Sequence, residues 1–268
     1  MSFKADWLAL REPYDTRARN GDVLAALVAA FAGQSAINVV DLACGTGSTL
    51  RAVAAHLPAR QNWRLVDNDL GLLARAGELT RSSGANVTTT PVDLSHDLEA
   101  ALDGAVDLVT ASALLDLVSA EWLERLAIET AARRLPIYAA LTYDGRAELE
   151  PVDPFDAAII AAVNRHQRRD KGFGPALGPA AAAAAVTQFQ AVQYAVTQGQ
   201  SDWVCTPQDR EIQNEVLSGW AGAARELDEL HVNDIVEWLT RRRDWVAAGR
   251  STMRVGHVDL FALPTALR

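Results

Sequence analysis

The chain has 268 residues, 49% of them hydrophobic, and a net charge of −9, with a pI near 5.1. That length and apolar content suffice for one large α/β core, and the acidic balance speaks against a broad phosphate-binding face. The only two cysteines, Cys44 and Cys205, make a disulfide framework unexpected and a reducing, cytoplasmic compartment the simpler reading. The stretch Met1–Trp7 lacks the basic region and apolar run of a leader. The nearby apolar run Val23–Ala32 is about half of the ~20 residues a membrane span requires. Neither membrane nor nucleic acid is therefore an expected partner, and no metal is expected.

Residues 5–19 are mixed and charged, with no long period, and read as a partly helical lead-in. Asn20 or Asp22 is placed to cap a helix bearing Leu24, Leu27, Val28 and Phe31, which Gly33 ends. Ile37 to Leu42 is an apolar run of the kind a buried parallel strand shows. It breaks at Gly45 and Gly47, then resumes at helical spacing with Leu50, Val53, Ala54 and Leu57 until Pro58. A strand, a tight glycine turn and a helix form a ligand-binding corner in an open α/β sheet.

Two common ligands of such corners fit poorly. The dinucleotide fingerprint G-x-G-x-x-G has Leu50 at its third glycine. The phosphate-cradling loop needs a lysine that this turn lacks. Instead an acid, Asp41, stands at the strand end four residues before Gly45. A second strand, 62–69, also ends in acid. Asp67 lies some twenty residues beyond the turn, where a carboxylate accepts both ribose hydroxyls. Asp69 is placed to cap the next helix, with Leu70, Leu73, Ala76 and Gly77 on one side.

A third strand, 87–92, leads to Asp93-Leu94. Asp93 or Ser95 is also placed to cap a helix over Leu98–Leu102. The fourth strand, 106–111, ends in the small residues Ala111, Ser112 and Ala113. Asp116 after it is either a base or simply solvated. Ser119 caps a helix whose buried side is Trp122, Leu123, Leu126 and Ala127, with Arg133 and Arg134 in its last turn. The fifth strand runs from Pro136 to Tyr143 and has an unusually polar end.

Residues 147–190 read as an insertion: an apolar helix over 157–163, a polar run 164–171, a glycine-rich loop and an alanine-rich helix behind Pro179. Such a loop between helices suits a lid. Strands at 190–197 and 202–205 follow, around a turn at 198–201. Thr206, Pro207 and Asp209 then read as cap, first turn and acid of a helix carrying Ile212, Val216, Leu217 and Trp220. Another helix covers about 232–247, with Arg241, Arg242 and Arg243 solvated around it. The last strand is 255–262.

The order of a D-x-x-x-G-x-G turn, an acidic second strand end, Asp-Leu after the third strand and a small-residue fourth strand end resembles class I S-adenosylmethionine-dependent methyltransferases. The likeness covers 37 to about 146 well. The overall look is similar to bacterial small-molecule enzymes, loosely of the trans-aconitate type. It implies a doubly wound, seven-stranded Rossmann-like sheet whose last strand runs antiparallel at one edge, with a helical insertion after strand five. Residues 1–268 would form one domain, with 1–35 an arm and helix and 147–190 an acceptor lid.

The resemblance implies that S-adenosylmethionine is held by Asp41, Ala43, Gly45, Gly47, Asp67, Asn68, Asp93, Leu94, Ala111 and Ser112. The product would be S-adenosylhomocysteine. It also implies in-line methyl transfer to a small soluble acceptor. A carboxylate acceptor needs no base. A hydroxyl or ammonium needs one, and His166, Asp116 and Tyr143 are the candidates. The plainer reading of His166 is a solvated helix-end residue. Arg11, Arg17, Arg146, Asn164 and Lys171 are candidate acceptor contacts, the arginines for bidentate pairing with a carboxylate. Two alternatives stand beside this reading: a nicotinamide-dependent oxidoreductase, and a non-catalytic S-adenosylmethionine-binding protein.

Overall fold

The computed structural model describes residues 4–265. Met1–Phe3, part of the stretch read for a leader, and the last three residues lie outside it. Ile37, Val39, Val40 and Leu42 are all buried, which a strand achieves only with cover on both faces. They form β1 (Ala36–Leu42), parallel to β2 (Arg60–Asp67) on one side and β4 (Leu108–Ser112) on the other. β3 (Asn86–Pro91) extends the sheet beyond β2, and β5 (Ile137–Glu150) beyond β4. The remaining strands are β6 (Tyr194–Gln200), β7 (Trp203–Cys205) and β8 (Thr252–Pro264).

The sheet order is β3-β2-β1-β4-β5-β8-β6, with β7 also paired to β8. There are thus eight strands among the described residues, not the seven expected. β8 is antiparallel to both neighbours but lies inside the sheet, with β6 outside it, so the expected edge position is corrected. β8 is long enough to hold β5 along one side and β6, then β7, along the other.

Helices cover both faces. On one side are α2 (Gly21–Ala30), α3 (Ser48–Val53) and α4 (Leu70–Leu79). On the other are α5 (Leu98–Ala101), α6 (Ala120–Ala132) and α8 (Ala181–Ala191). Each set closes its own apolar cluster against the sheet. A third cluster gathers α7 (Asp156–His166), α9 (Arg210–Leu227) and α10 (Val232–Ala247) around the far ends of β5, β7 and β8. α1 (Ala5–Ala18) packs partly against it.

Several local expectations hold. Asn20 caps α2 through Asp22 and Val23 N–H, Asp69 caps α4, and Ser119 caps α6. Others are corrected. Residues 5–18 are a continuous helix despite Pro13. Its polar side chains are spent on partners elsewhere: Glu12 accepts from Nε and Nη2 of Arg51, each at 2.6 Å, and Tyr14 donates to Asp209 at 2.7 Å. The α-helix after the glycine turn stops at Val53 and continues as a 3-10 turn to His56. Leu70 is 68% exposed, and Leu72 is buried in its stead. Asp93 caps only the Ser95 turn, not α5. α6 ends at Ala132, so Arg133 is its cap and Arg134 lies beyond.

β5 runs to Glu150 because its polar end pairs with β8 through two register shifts. Residues 147–150 are therefore strand rather than insertion. α8 continues to Ala191, and β6 takes in residues 198–200, read as turn. Residues 206–209 form a turn closed by the Asp209 carboxylate on Thr206 N–H, and α9 starts at Arg210. Arg242 is fully buried, not solvated. It pairs with Asp156, which also accepts the Trp238 indole N–H at 2.8 Å, and this ties α10 to α7. Removing one partner of such a buried pair costs about 3–5 kcal/mol.

Candidate active site

Two neighbouring cavities open at the carboxyl ends of the parallel strands. The first forms where β1 and β4 end. Ala43 (φ 50°), Gly45 (φ 54°) and Gly47 (φ 79°) all take the left-handed region, the conformation a glycine adopts without strain. The turn is pinned from within: Cys44 N–H donates to Val66 O at 2.9 Å and Gly47 N–H to Cys44 O at 2.8 Å. The Asp67 carboxylate receives Gly45 N–H at 2.9 Å and Asp69 N–H at 3.0 Å. It therefore holds the ends of β1 and β2 together as well as facing the cavity. Ala113, at the end of β4, is also left-handed (φ 51°). Backbone strain at two strand ends beside one cavity is typical of a ligand site.

Of the predicted cofactor residues, Ala43, Gly45, Asp67, Asn68, Asp93, Leu94 and Ser112 line this cavity; Asp41, Gly47 and Ala111 do not. Asp41 stands behind the turn, fully buried, accepting the Thr110 hydroxyl at 2.7 Å. Burial pushes its carboxyl up to about 7. A Cβ on Gly47 meets Thr80 and Leu65 at 3.2 and 3.3 Å, in the packed layer under the turn. A Cβ on Gly45 meets Leu8 of α1 at 3.1 Å. The Asp93 carboxyl is held below its usual range by Ser95, whose hydroxyl donates to it at 2.6 Å.

Sequence reading missed Leu8, Asp15, Thr46, Thr49 and Phe173, which also line the first cavity. α1 closes over the glycine turn because Glu12 clamps Arg51 and Asp15 accepts the Trp203 indole N–H at 2.9 Å. No local pattern announces such long-range pairs.

The second cavity, about 470 Å³, lies beside the first. It gathers all three predicted bases, Asp116, Tyr143 and His166, with Arg11 and Lys171. Arg17, Arg146 and Asn164 do not line either cavity. Arg17 lies over the Tyr14 ring at 4.5 Å. Arg146 is engaged by Asp144 and Asp202 at 2.6 and 2.8 Å. Asn164 accepts the Tyr143 hydroxyl at 2.7 Å and donates to Gly145 O.

Asp116 is 5% exposed, and its Oδ1 has no hydrogen-bond partner among the described residues. Burial pushes its carboxyl up to about 6. Burial likewise pushes the Tyr143 phenol well above its ordinary range. Lys171 is lowered by burial. Its Nζ is 3.3 Å from His166 Nδ1, and His166 Nε2 is 2.9 Å from Glu226 Oε2. An ammonium only donates, so Nδ1 accepts and Nε2–H donates to Glu226. His257, unpredicted, also lines this cavity. Its Nδ1 lies 3.1 Å from Val255 O, so that nitrogen carries the proton. Burial lowers the imidazole to about 3 and keeps it neutral.

The sheet and its helix-covered faces are those of a Rossmann-like methyltransferase fold. Residues 39–136 match the methyltransferase domain family, a span from β1 to the start of β5 that contains the glycine turn and the ends of β1 to β4. The cyclopropane synthase MmaA2 of Mycobacterium tuberculosis is similar, with a TM-score of 0.51 at 10% identity over 97% of this chain and 94% of that one. The YcgJ protein of Bacillus subtilis gives 0.50 at 12%, over 92% of this chain and 100% of that one. The BH2331 protein of Bacillus halodurans gives 0.50 at 13%, over 91% and 100%. These likenesses concern the fold. No curated protein matches the sequence.

Residues 39–136 carry the methyltransferase domain, and the activity this supports is S-adenosylmethionine-dependent methyl transfer. The oxidoreductase and non-catalytic alternatives find no support. The first cavity fits S-adenosylmethionine on its own chemistry. Its carboxylates Asp15, Asp67, Asp69 and Asp93 suit ribose hydroxyls and an ammonium. Its two cations are Arg11, paired with Asp15 at 2.9 Å, and Lys171, a poor set for a pyrophosphate. A Cβ at Gly45 would meet Leu8, which lines the same cavity.

Proposed function

We propose that the chain transfers the methyl group of S-adenosylmethionine, held in the first cavity, to a small polar acceptor held in the second. In this reading residues 1–268 act as one domain, and the protein works in the cytoplasm. The observation that carries it is the shared wall: Arg11, Ala113, Leu117 and Lys171 line both cavities. A space of about 470 Å³ suits a small molecule. The net charge of −9 disfavours a polyanion. One sheet continuous from Ala36 to Pro264 supports a single domain. Two free, buried cysteines fit a reducing compartment.

The bound cofactor supplies a methyl group on a sulfonium. A hydroxyl or protonated amine must lose a proton before its lone pair is free, and Asp116 is suited to receive it, being buried with one oxygen unpartnered. Tyr143 is a weaker candidate because its proton is donated to Asn164. Both nitrogens of His166 are occupied, by Lys171 and Glu226, so His166 positions Lys171 rather than moving a proton. The remaining N–H groups of Lys171 serve an anionic group of the acceptor. Leu8 and Phe173 close over the first cavity and exclude water.

Gly219 offers a clean test. It lines the second cavity only, and a Cβ built on it meets nothing within 4 Å. Gly219→Trp fills that cavity while sparing the first. With a metabolite extract and S-adenosylmethionine, the unaltered protein is expected to form S-adenosylhomocysteine. The variant is expected to lose transfer and keep its calorimetric affinity for S-adenosylhomocysteine. Transfer that survives the variant puts the acceptor elsewhere.

A further inference from the structure

Five rings from five separate elements line the second cavity: Trp7 of α1, Tyr143 of β5, Trp203 of β7, Trp220 of α9 and His257 of β8. Trp7 meets Trp203 edge to face at 6.1 Å between centroids. His257 lies 5.1 Å from Trp203 and 6.1 Å from Tyr143. The polar atoms of two of these rings are already committed. The Trp203 indole N–H donates to Asp15, and the Tyr143 hydroxyl to Asn164. Those rings therefore offer the cavity carbon surface rather than donors. Walls of this kind favour a flat guest with a π-system of its own.

The polar groups of the same cavity narrow the class. Asp116 Oδ1 is buried and unpartnered. Lys171, 7% exposed, spends one N–H on His166 and makes no ion pair among the described residues. An unpaired carboxylate oxygen and an unpaired ammonium suit a hydroxyl that must ionise: one takes the proton, the other holds the oxyanion. An aliphatic cation fits poorly, because the Arg11 guanidinium already lies 5.1 Å over Trp203 and Lys171 adds a second positive charge. An aliphatic carboxylate suits Lys171 but gives the rings no counterpart.

We propose that the acceptor is a planar aromatic hydroxyl compound, its ring held among Trp203, Trp220 and Tyr143 and its hydroxyl shared by Asp116 and Lys171. This deepens the reading above and rests on the second cavity being the acceptor's. The phenolic proton passes to the Asp116 carboxylate. The phenolic oxygen bonds to the methyl carbon as the carbon–sulfur bond breaks, and that bonding pair stays on sulfur, leaving a neutral thioether and an aryl methyl ether.

The test is binding, read without turnover. Protein saturated with S-adenosylhomocysteine is titrated in a calorimeter with 4-nitrophenol, cyclohexylamine and cyclohexanecarboxylate. 4-Nitrophenol is expected to bind best and to show its coloured phenolate band below the pH at which the free probe ionises. Lys171→Met is expected to abolish that band and weaken binding at least about tenfold, the scale of a charge-assisted hydrogen bond. Gly219→Trp is expected to abolish binding. If the amine or the carboxylate binds and the phenol does not, the ring assignment falls. If Gly219→Trp also leaves methyl transfer intact, the acceptor reading falls with it. Phenol binding that ignores Gly219→Trp lies elsewhere and overturns the proposal. An unchanged band in Lys171→Met overturns the pairing with lysine.

Discussion

The two cavities share a wall but are built by different means. The first is a feature of backbone. Left-handed residues at two strand ends, a carboxylate pinning Gly45 N–H, and the sheet register of β1 with β2 and β4 shape it. Apart from α1 and the 171–173 loop, its lining comes from residues 43 to 117. The second is a feature of side chains, drawn from Trp7 at one end of the chain to His257 at the other. A backbone-built site tolerates little change at a few positions. A side-chain-built site is free to vary in shape while the sheet beneath it stays the same, and function in shared folds resides in such grafted sites.

The sharpest way to break this comparison is at the turn. Gly45→Val is expected to abolish S-adenosylhomocysteine binding by calorimetry while circular dichroism stays native, because its Cβ is forced against Leu8 at a φ of 54°. Normal binding would show that the turn does not form the cofactor site.

Asp116→Asn comes next, with a fall in transfer of about 10²–10⁴-fold at unchanged cofactor affinity. The unaltered enzyme should gain activity as pH rises through about 6, because only the ionised carboxylate accepts a proton. The same raised value means the folded state holds this proton more tightly than the unfolded chain. That contribution to stability is present at low pH and is lost as pH rises through about 6. The asparagine variant should lack the kinetic limb; a retained limb would assign it to another group.

Asp67→Ala is expected to weaken S-adenosylhomocysteine binding by roughly 1–3 kcal/mol, the scale of hydrogen bonds to a charged group. Part of that loss is the freed Gly45 N–H, so amide exchange at Gly45 should rise alongside it. Unchanged affinity would remove Asp67 from the site.

The smallest effect is expected at Arg146. Arg146→Ala should leave transfer within about twofold, since its partners are Asp144 and Asp202 and it lines neither cavity. A large loss in steady-state kinetics would draw the acceptor boundary wider than the second cavity.

Most of the first cavity was legible in the sequence because its determinants are local. The glycine turn, Asp67 and the small end of β4 each lie within a few residues of a strand end that hydrophobic runs reveal. Ser119, Asp69 and Asn20 were readable as caps for the same reason: a cap bonds within its own turn. Asp41 is the instructive exception, since its strand-end position was legible but its burial behind Thr110 was not. What tertiary structure alone decided is the rest. Burial of Arg242, the inside position of β8 and the cover provided by α1 depend on partners 39 to 195 positions away in the chain. Residue spacing encodes periodicity along one element. It does not encode which distant element will supply the counter-charge or the facing ring, and the second cavity consists of those pairings.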